Sequence, residues 1–112
     1  MIKDIHVITG CMFAGKTTEL LNRLKKINQT YLLIKPKIDT RNSGKILSTH
    51  GGTRAHAITV SQLSEVFDKL ENIKVVAIDE AQFFKPDIIQ DIHTLSTKNI
   101  TIIIAGLEKD YL

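Results

Sequence analysis

A single cysteine, no tryptophan and an aromatic content of 5% set the first limits on this 112-residue chain. One thiol, Cys11, excludes an internal disulfide and any zinc site built from several cysteines of this chain. So few aromatics beside 43% hydrophobic residues imply an aliphatic core, rich in isoleucine. Met1-Ile2-Lys3-Asp4 leads straight into an apolar run, and no signal peptide is expected. No apolar run approaches the roughly 20 residues of a membrane span, so a cytoplasmic protein with no membrane partner is expected. The balance is mildly basic, +3 with a pI near 9.1, yet there is no Lys/Arg run or aromatic-studded basic stripe. That charge suits a polyphosphate ligand and does not argue for nucleic acid. The length corresponds to one domain, residues 1–112. His6, His50, His56 and His93 have no ligand spacing, and the Asn-x-Thr patterns at Asn28 and Asn99 read as chance matches to the glycosylation signal.

What the chain does contain is an alternation of strand-like and helix-like stretches. Apolar runs at 5–8, 31–34, 57–60, 75–78 and 100–105 are short and nearly continuous, the pattern of strands covered on both faces. Between them, Leu20, Leu21, Leu24 and Ile27 form a helical stripe over 18–27. A second helix is predicted from a Ser61 cap to Leu70, and a third opens at Pro86-Asp87 with Ile88, Ile89, Ile92 and Leu95 inward. Pro36 is expected to end the second strand, and 35–55 reads as a long irregular loop. Strands separated by helices predict an α/β fold, a mainly parallel sheet flanked by helices.

The strongest motif is Gly10-Cys11-Met12-Phe13-Ala14-Gly15-Lys16-Thr17, which fits the phosphate-loop pattern G-x-x-x-x-G-K-[ST] of P-loop NTPases. Glycines bracket it because a loop aiming successive N–H groups at one anion must bend where a Cβ would obstruct. The following helix directs its N-terminal N–H groups and positive dipole end, from Thr18 onward, at the same phosphates. Lys16 supplies a mobile positive charge and Thr17 a hydroxyl for Mg²⁺. Cys11 reads here as a small residue that fits the loop, in preference to a catalytic thiol.

The apolar run Val75-Val76-Ala77-Ile78 ends in Asp79-Glu80. Ligands of an open parallel sheet bind beyond the carboxyl ends of the strands, so Asp79 lands on the same edge as the phosphate loop and is a candidate Mg²⁺ residue. Glu80 is the candidate general base for an attacking hydroxyl or water. Asp39 and Arg41 read two ways: an arginine stabilising a transferred phosphoryl group with its orienting carboxylate, or part of a solvated surface loop. Gln82-Phe83-Phe84 likewise reads either as aromatics stacking on a base or as core.

Three stretches carry a resemblance. Ile8 to Leu20 through the phosphate loop, Lys35-Pro36-Lys37-Ile38-Asp39-Thr40-Arg41, and Ile78-Asp79-Glu80-Ala81-Gln82-Phe83-Phe84 resemble the type II thymidine kinases of bacteria, cell cytosol and poxviruses. Ala105-Gly106-Leu107-Glu108-Lys109-Asp110-Tyr111 resembles that family's next motif, with Glu108 where the family usually has Asp. The resemblance covers essentially the whole chain in order. It implies a RecA-like core and ATP-dependent phosphorylation of the thymidine 5′-hydroxyl, with ATP and Mg²⁺ at Lys16 and Thr17 and Glu80 as base. It also implies supporting roles for Asp39 and Arg41, nucleoside contacts from Met12, Phe83, Leu107 and Tyr111, and a homotetramer.

Family members continue for roughly half as much chain again, the scale of a small domain, with a structural zinc site and a thymine-binding loop. Residues 1–112 are therefore expected to be the nucleotide-binding portion alone, a fragment, truncated product or piece of a split protein, with impaired transfer to thymidine and exposed apolar surface near 100–105. Two further readings stand beside the kinase: an ATP-binding module without kinase activity, and an ATPase in which Glu80 activates water.

Overall fold

The computed structural model describes residues 5–8, 15–37, 46–48, 54–84 and 86–107. Its centre is a parallel sheet of five strands: β1 (Ile5–Ile8), β2 (Tyr31–Pro36), β5 (Ile58–Val60), β6 (Val75–Ile78) and β7 (Thr101–Ala105). Their spatial order is β1-β7-β6-β2-β5. A separate antiparallel pair, β3 (Ile46–Ser48) and β4 (Arg54–His56), is joined in the register Ile46 to His56.

Period-two alternation along the central strands divides the core into two layers. Val76, Ile78, Ile102 and Ile104 face one side; Val75, Ala77, Ile103 and Ala105 face the other. On the second side lies α1 (Lys16–Ile27), which buries Leu20, Leu21 and Leu24 against them. The first side is covered by the 3₁₀ segment Leu63–Lys69 and by α2 (Ile88–Ser96), through Leu63, Val66, Ile88, Ile92 and Leu95. Burial of each such leucine or isoleucine is worth about 1.5–3 kcal/mol.

The strand order explains the division of faces. The crossover through α1 runs from β1 outward to β2, past the positions later filled by β7 and β6. The crossovers after β5 and β6 run back the other way, so keeping one hand of connection requires the opposite face. Every strand of this sheet then ends at the same edge, and the start of α1 at Gly15 and Lys16 and the turn at Asp79 and Glu80 share it.

Local chemistry sets the element ends. Gly15, at φ 80°, is the residue before α1, and Asn28, at φ 55°, closes it with its N–H on the Leu24 carbonyl at 3.4 Å. Glu19 and Arg23 form an i,i+4 ion pair at 2.8 Å, with the acid on the N-terminal side where it complements the dipole.

Several expectations are corrected. The stretch 35–55 is not wholly irregular: β2 continues through Lys35 and Pro36, and β3 and β4 pair within it. Pro36 is tolerated as the last residue of β2 because the next amide takes over, Lys37 N–H donating to the Val60 carbonyl at 3.0 Å. The second helix is 3₁₀, and its cap is Gln62 in place of Ser61, since the Glu65 carboxylate accepts both the Ser61 and Gln62 N–H groups at 2.9 Å. Helix α1 begins two residues earlier than its apolar stripe, at Lys16. Within α2, Ile89 is only half-buried while Ile88, Ile92 and Leu95 are fully inside. The 100–105 stretch is not exposed: β7 lies between β1 and β6 with helices over both faces, and residues 102–105 are buried.

Candidate functional site

Helix α1 starts on Gly15, whose left-handed conformation no L side chain adopts readily. A Cβ there would meet no atom of the described residues within 4 Å, and the dihedral, φ 80°, is the demand the glycine answers. Having no side chain, Gly15 supplies no side-chain cap to the first-turn N–H groups, the groups that a helix N-terminus offers to an anion. Lys16 and Thr18 line an open cleft of about 610 Å³ between Val7 and Ile8 of β1 and Asn22 of α1.

Thr17 points the other way, toward β6. Its hydroxyl donates to Asp79 Oδ2 at 3.0 Å, and Asp79 is buried at the carboxyl end of that strand. The second carboxylate oxygen, Oδ1, accepts the Glu80 N–H at 3.0 Å. Because Thr17 spends its proton on Asp79, its oxygen lone pairs remain for a cation. A hydroxyl beside a carboxylate is a hard-oxygen donor pair that suits Mg²⁺. Among the described residues there is no cluster of three or more His, Cys, Asp or Glu side chains able to hold a metal by themselves.

Glu80 adopts φ 55°, ψ 40°, a left-handed conformation that costs a residue with a Cβ roughly 1–3 kcal/mol. Strain of this kind persists where the surroundings impose it. Here the Asp79 carboxylate holds the Glu80 N–H, and the 3₁₀ turn Ala81–Phe83 follows at once, with the Phe83 N–H on the Glu80 carbonyl at 3.0 Å. The result turns the Glu80 side chain out of the strand, half-buried, with Gln82 Nε2 donating to its Oε2 at 3.5 Å. Gly106, at φ 96° just past β7, packs on this turn: a Cβ there would collide with the Gln82 side chain and stand 2.9 Å from the Ala81 nitrogen.

The structure thus brings Gly15, Lys16, Thr17, Thr18, Asp79 and Glu80 to one edge of the sheet. Phe83 is 42% exposed, unlike a core phenylalanine, whereas Phe84 and Leu107 pack against the core layer that contains α2. Gly10, Cys11, Met12, Phe13, Ala14, Asp39, Arg41 and Tyr111 lie outside the described residues. Sequence reasoning overlooked Gln82 as a partner of Glu80, although its place two residues after the acid was the available signal. Lys35 reads in the sequence as the start of a loop, whereas in the structure it is fully buried near the end of β2.

An open parallel sheet with a phosphate-loop sequence after β1 and an acidic pair after β6 defines the P-loop nucleotide-binding class of α/β domains. A family model described as thymidine kinase matches residues 3–112, and the chain belongs to that family. A thymidine kinase of Mesoplasma florum is 39% identical over 116 residues, covering 96% of this chain and 57% of that protein. Thymidine kinases from two strains of Chloroflexus aurantiacus are 35% identical over 113 residues, covering 96% of this chain and 58% of theirs. The chain therefore spans a little over half the length of these relatives.

Proposed function

We propose that this chain supplies the nucleotide side of an ATP-dependent thymidine kinase, transferring the γ-phosphoryl group of ATP to the thymidine 5′-hydroxyl. The observation that carries it is the Thr17–Asp79 hydrogen bond, which ties the start of the phosphate-loop helix to the strand whose next residue is Glu80. Gly10, Cys11, Met12, Phe13, Ala14, Gly15, Lys16, Thr17 and Thr18 bind the ATP phosphates. Lys16 draws charge from the outer phosphates while the first-turn N–H groups of α1 hold them. Mg²⁺ held at Thr17 and Asp79 would neutralise charge on the β- and γ-oxygens. Glu80 takes the proton of the attacking hydroxyl, and its strained backbone keeps the carboxylate at the edge instead of in the strand. Asp39 and Arg41 assist the transferred group, and Met12, Phe83, Leu107 and Tyr111 form the nucleoside wall. The exposed ring of Phe83 supports that part of the reading.

The same proposal takes residues 1–112 as one nucleotide-binding unit that acts on ATP and free nucleoside without nucleic acid or a membrane. Among the described residues no helix is long and apolar enough to cross a membrane. A homo-oligomeric, cytoplasmic enzyme rests on family membership alone.

A second reading has a specific observation in its favour. The described residues build the nucleotide edge, Gly15 to Thr18 with Asp79 and Glu80, and that edge serves equally an ATP-binding module or an ATPase in which Glu80 activates water. Titration with ATP and Mg²⁺, followed by phosphate release and thymidine monophosphate formation with and without thymidine, separates them. Binding lost in Lys16→Ala supports the nucleotide site. Thymidine monophosphate formed by the parent and not by Glu80→Gln supports the kinase, and thymidine-independent phosphate release supports the ATPase. A parent chain that fails to bind ATP refutes the proposal.

A further inference from the structure

Lys35 is 0% exposed, and its Nζ has no hydrogen-bond partner among the described residues. Its surroundings follow from the sheet. Leu33, two residues earlier on β2, faces α1, so alternation directs Lys35 to that same face. Thr59 of β5 is its register partner on one side. On the other, one step beyond the Ile34–Ile78 pair, lies Asp79 of β6, whose backbone N–H donates to the Ile34 carbonyl at 2.9 Å. Both Asp79 carboxylate oxygens are engaged, one by the Thr17 hydroxyl and one by the Glu80 N–H. By strand register Lys35 is thus a lateral neighbour of Asp79, and its ammonium spends none of its three protons on the described residues. Removing a charge from water without full hydrogen bonding is costly, and an apolar side chain of the same length would fill the space without that penalty.

Resting on the phosphate-site reading above, we propose that Lys35 is a positioning residue that acts through Asp79 and sets the charge balance of this edge. Its consequence is selectivity: the edge takes a divalent cation together with a polyphosphate in preference to the cation alone. Asp79 and Glu80 by themselves attract a bare divalent cation and repel a polyphosphate. A positive charge on the neighbouring strand, in a buried environment where fields are little screened, opposes both tendencies without touching the ligand.

The test compares the full 112-residue chain with Lys35→Met and Lys35→Arg in two titrations, Mn²⁺ without nucleotide and ATP in excess EDTA. Lys35→Met is expected to bind Mn²⁺ about tenfold more tightly and metal-free ATP about tenfold more weakly, and Lys35→Arg to stay within about threefold of the parent in both. The opposite signs are the signature, because a packing defect weakens both. Lys35→Gln, which loses the charge but keeps a polar head, takes the place of the Met variant if that one lacks the parent's circular dichroism. Affinities that move together, or do not move, overturn the inference. A parent that binds ATP in a Lys16-dependent way while the Lys35 variants show no split leaves the site reading intact and removes only the role of Lys35. A parent that binds no ATP removes both.

Discussion

The Thr17 hydroxyl and the Asp79 carboxylate, 62 residues apart in the chain, meet at 3.0 Å and join α1 to β6. The bond places a hydroxyl from the phosphate-loop motif and a carboxylate from the acidic pair within reach of one cation. Removing it should affect metal-dependent binding far more than folding. Thr17→Val is expected to lower ATP affinity about tenfold or more in Mg²⁺, to leave affinity in EDTA nearly unchanged, and to reduce stability by only about 1 kcal/mol. Thr17→Ser keeps the donor and should retain most of the Mg²⁺ effect. Parallel ATP titrations in Mg²⁺ and EDTA, with urea melts, provide the check.

Glu80 combines a strained backbone with a proposed catalytic side chain, so stability and activity should separate there. Glycine relieves the left-handed conformation at φ 55°, and Glu80→Gly is expected to lie within about 1 kcal/mol of the parent or above it. Phosphoryl transfer should nevertheless be lost. Glu80→Val, β-branched in the same conformation, should be less stable than either by about 1–2 kcal/mol. Urea denaturation ranks the three, and a Gly variant that is the least stable contradicts the assignment of strain.

Two left-handed glycines predict different penalties. Gly15→Ala meets no atom of the described residues within 4 Å and is expected to pay for its dihedral, about 1 kcal/mol. Gly106→Ala, at φ 96°, also drives a methyl into the Ala81–Gln82 turn, and about 2–4 kcal/mol is expected. Equal losses in thermal melts would show that the close approach of β7 to that turn is absent.

Asp91 predicts a pH dependence. Burial in α2 is the main cause that raises its carboxyl above 3.8, with repulsion from Asp87 adding to it and the Ser64 backbone N–H opposing. The unfolded chain ionises this group near 3.8 while the folded chain still holds the proton. Stability from Asp91 is therefore full below pH 3.8 and declines as pH rises through the raised folded value. Asp91→Asn keeps an acceptor for Ser64 and should melt higher than the parent at pH 7, with the difference closing toward pH 3.8. A variant that is less stable at neutral pH reverses the sign and refutes the cause.

The chain's order of residues determined its class and its chemistry. Apolar runs of 4–6 residues spaced by amphipathic stretches point to a mainly parallel sheet flanked by helices, and Gly-x-x-x-x-Gly-Lys-Thr with Asp-Glu points to a polyphosphate site. These signals are legible because hydrophobic periodicity and loop chemistry act over a few neighbouring residues. Tertiary structure decided what lies beside what. That β2 adjoins β6, so that Lys35 is buried next to Asp79, follows from crossovers that carry the chain past two vacant positions later filled by β6 and β7. The turn holding Glu80 is shaped likewise by Gly106, 26 positions on by residue number, whose missing Cβ leaves room for Gln82. A lysine before a proline reads locally as the start of a loop. Only the lateral packing of strands, which no local window contains, turns it into a buried charge at the edge of the site.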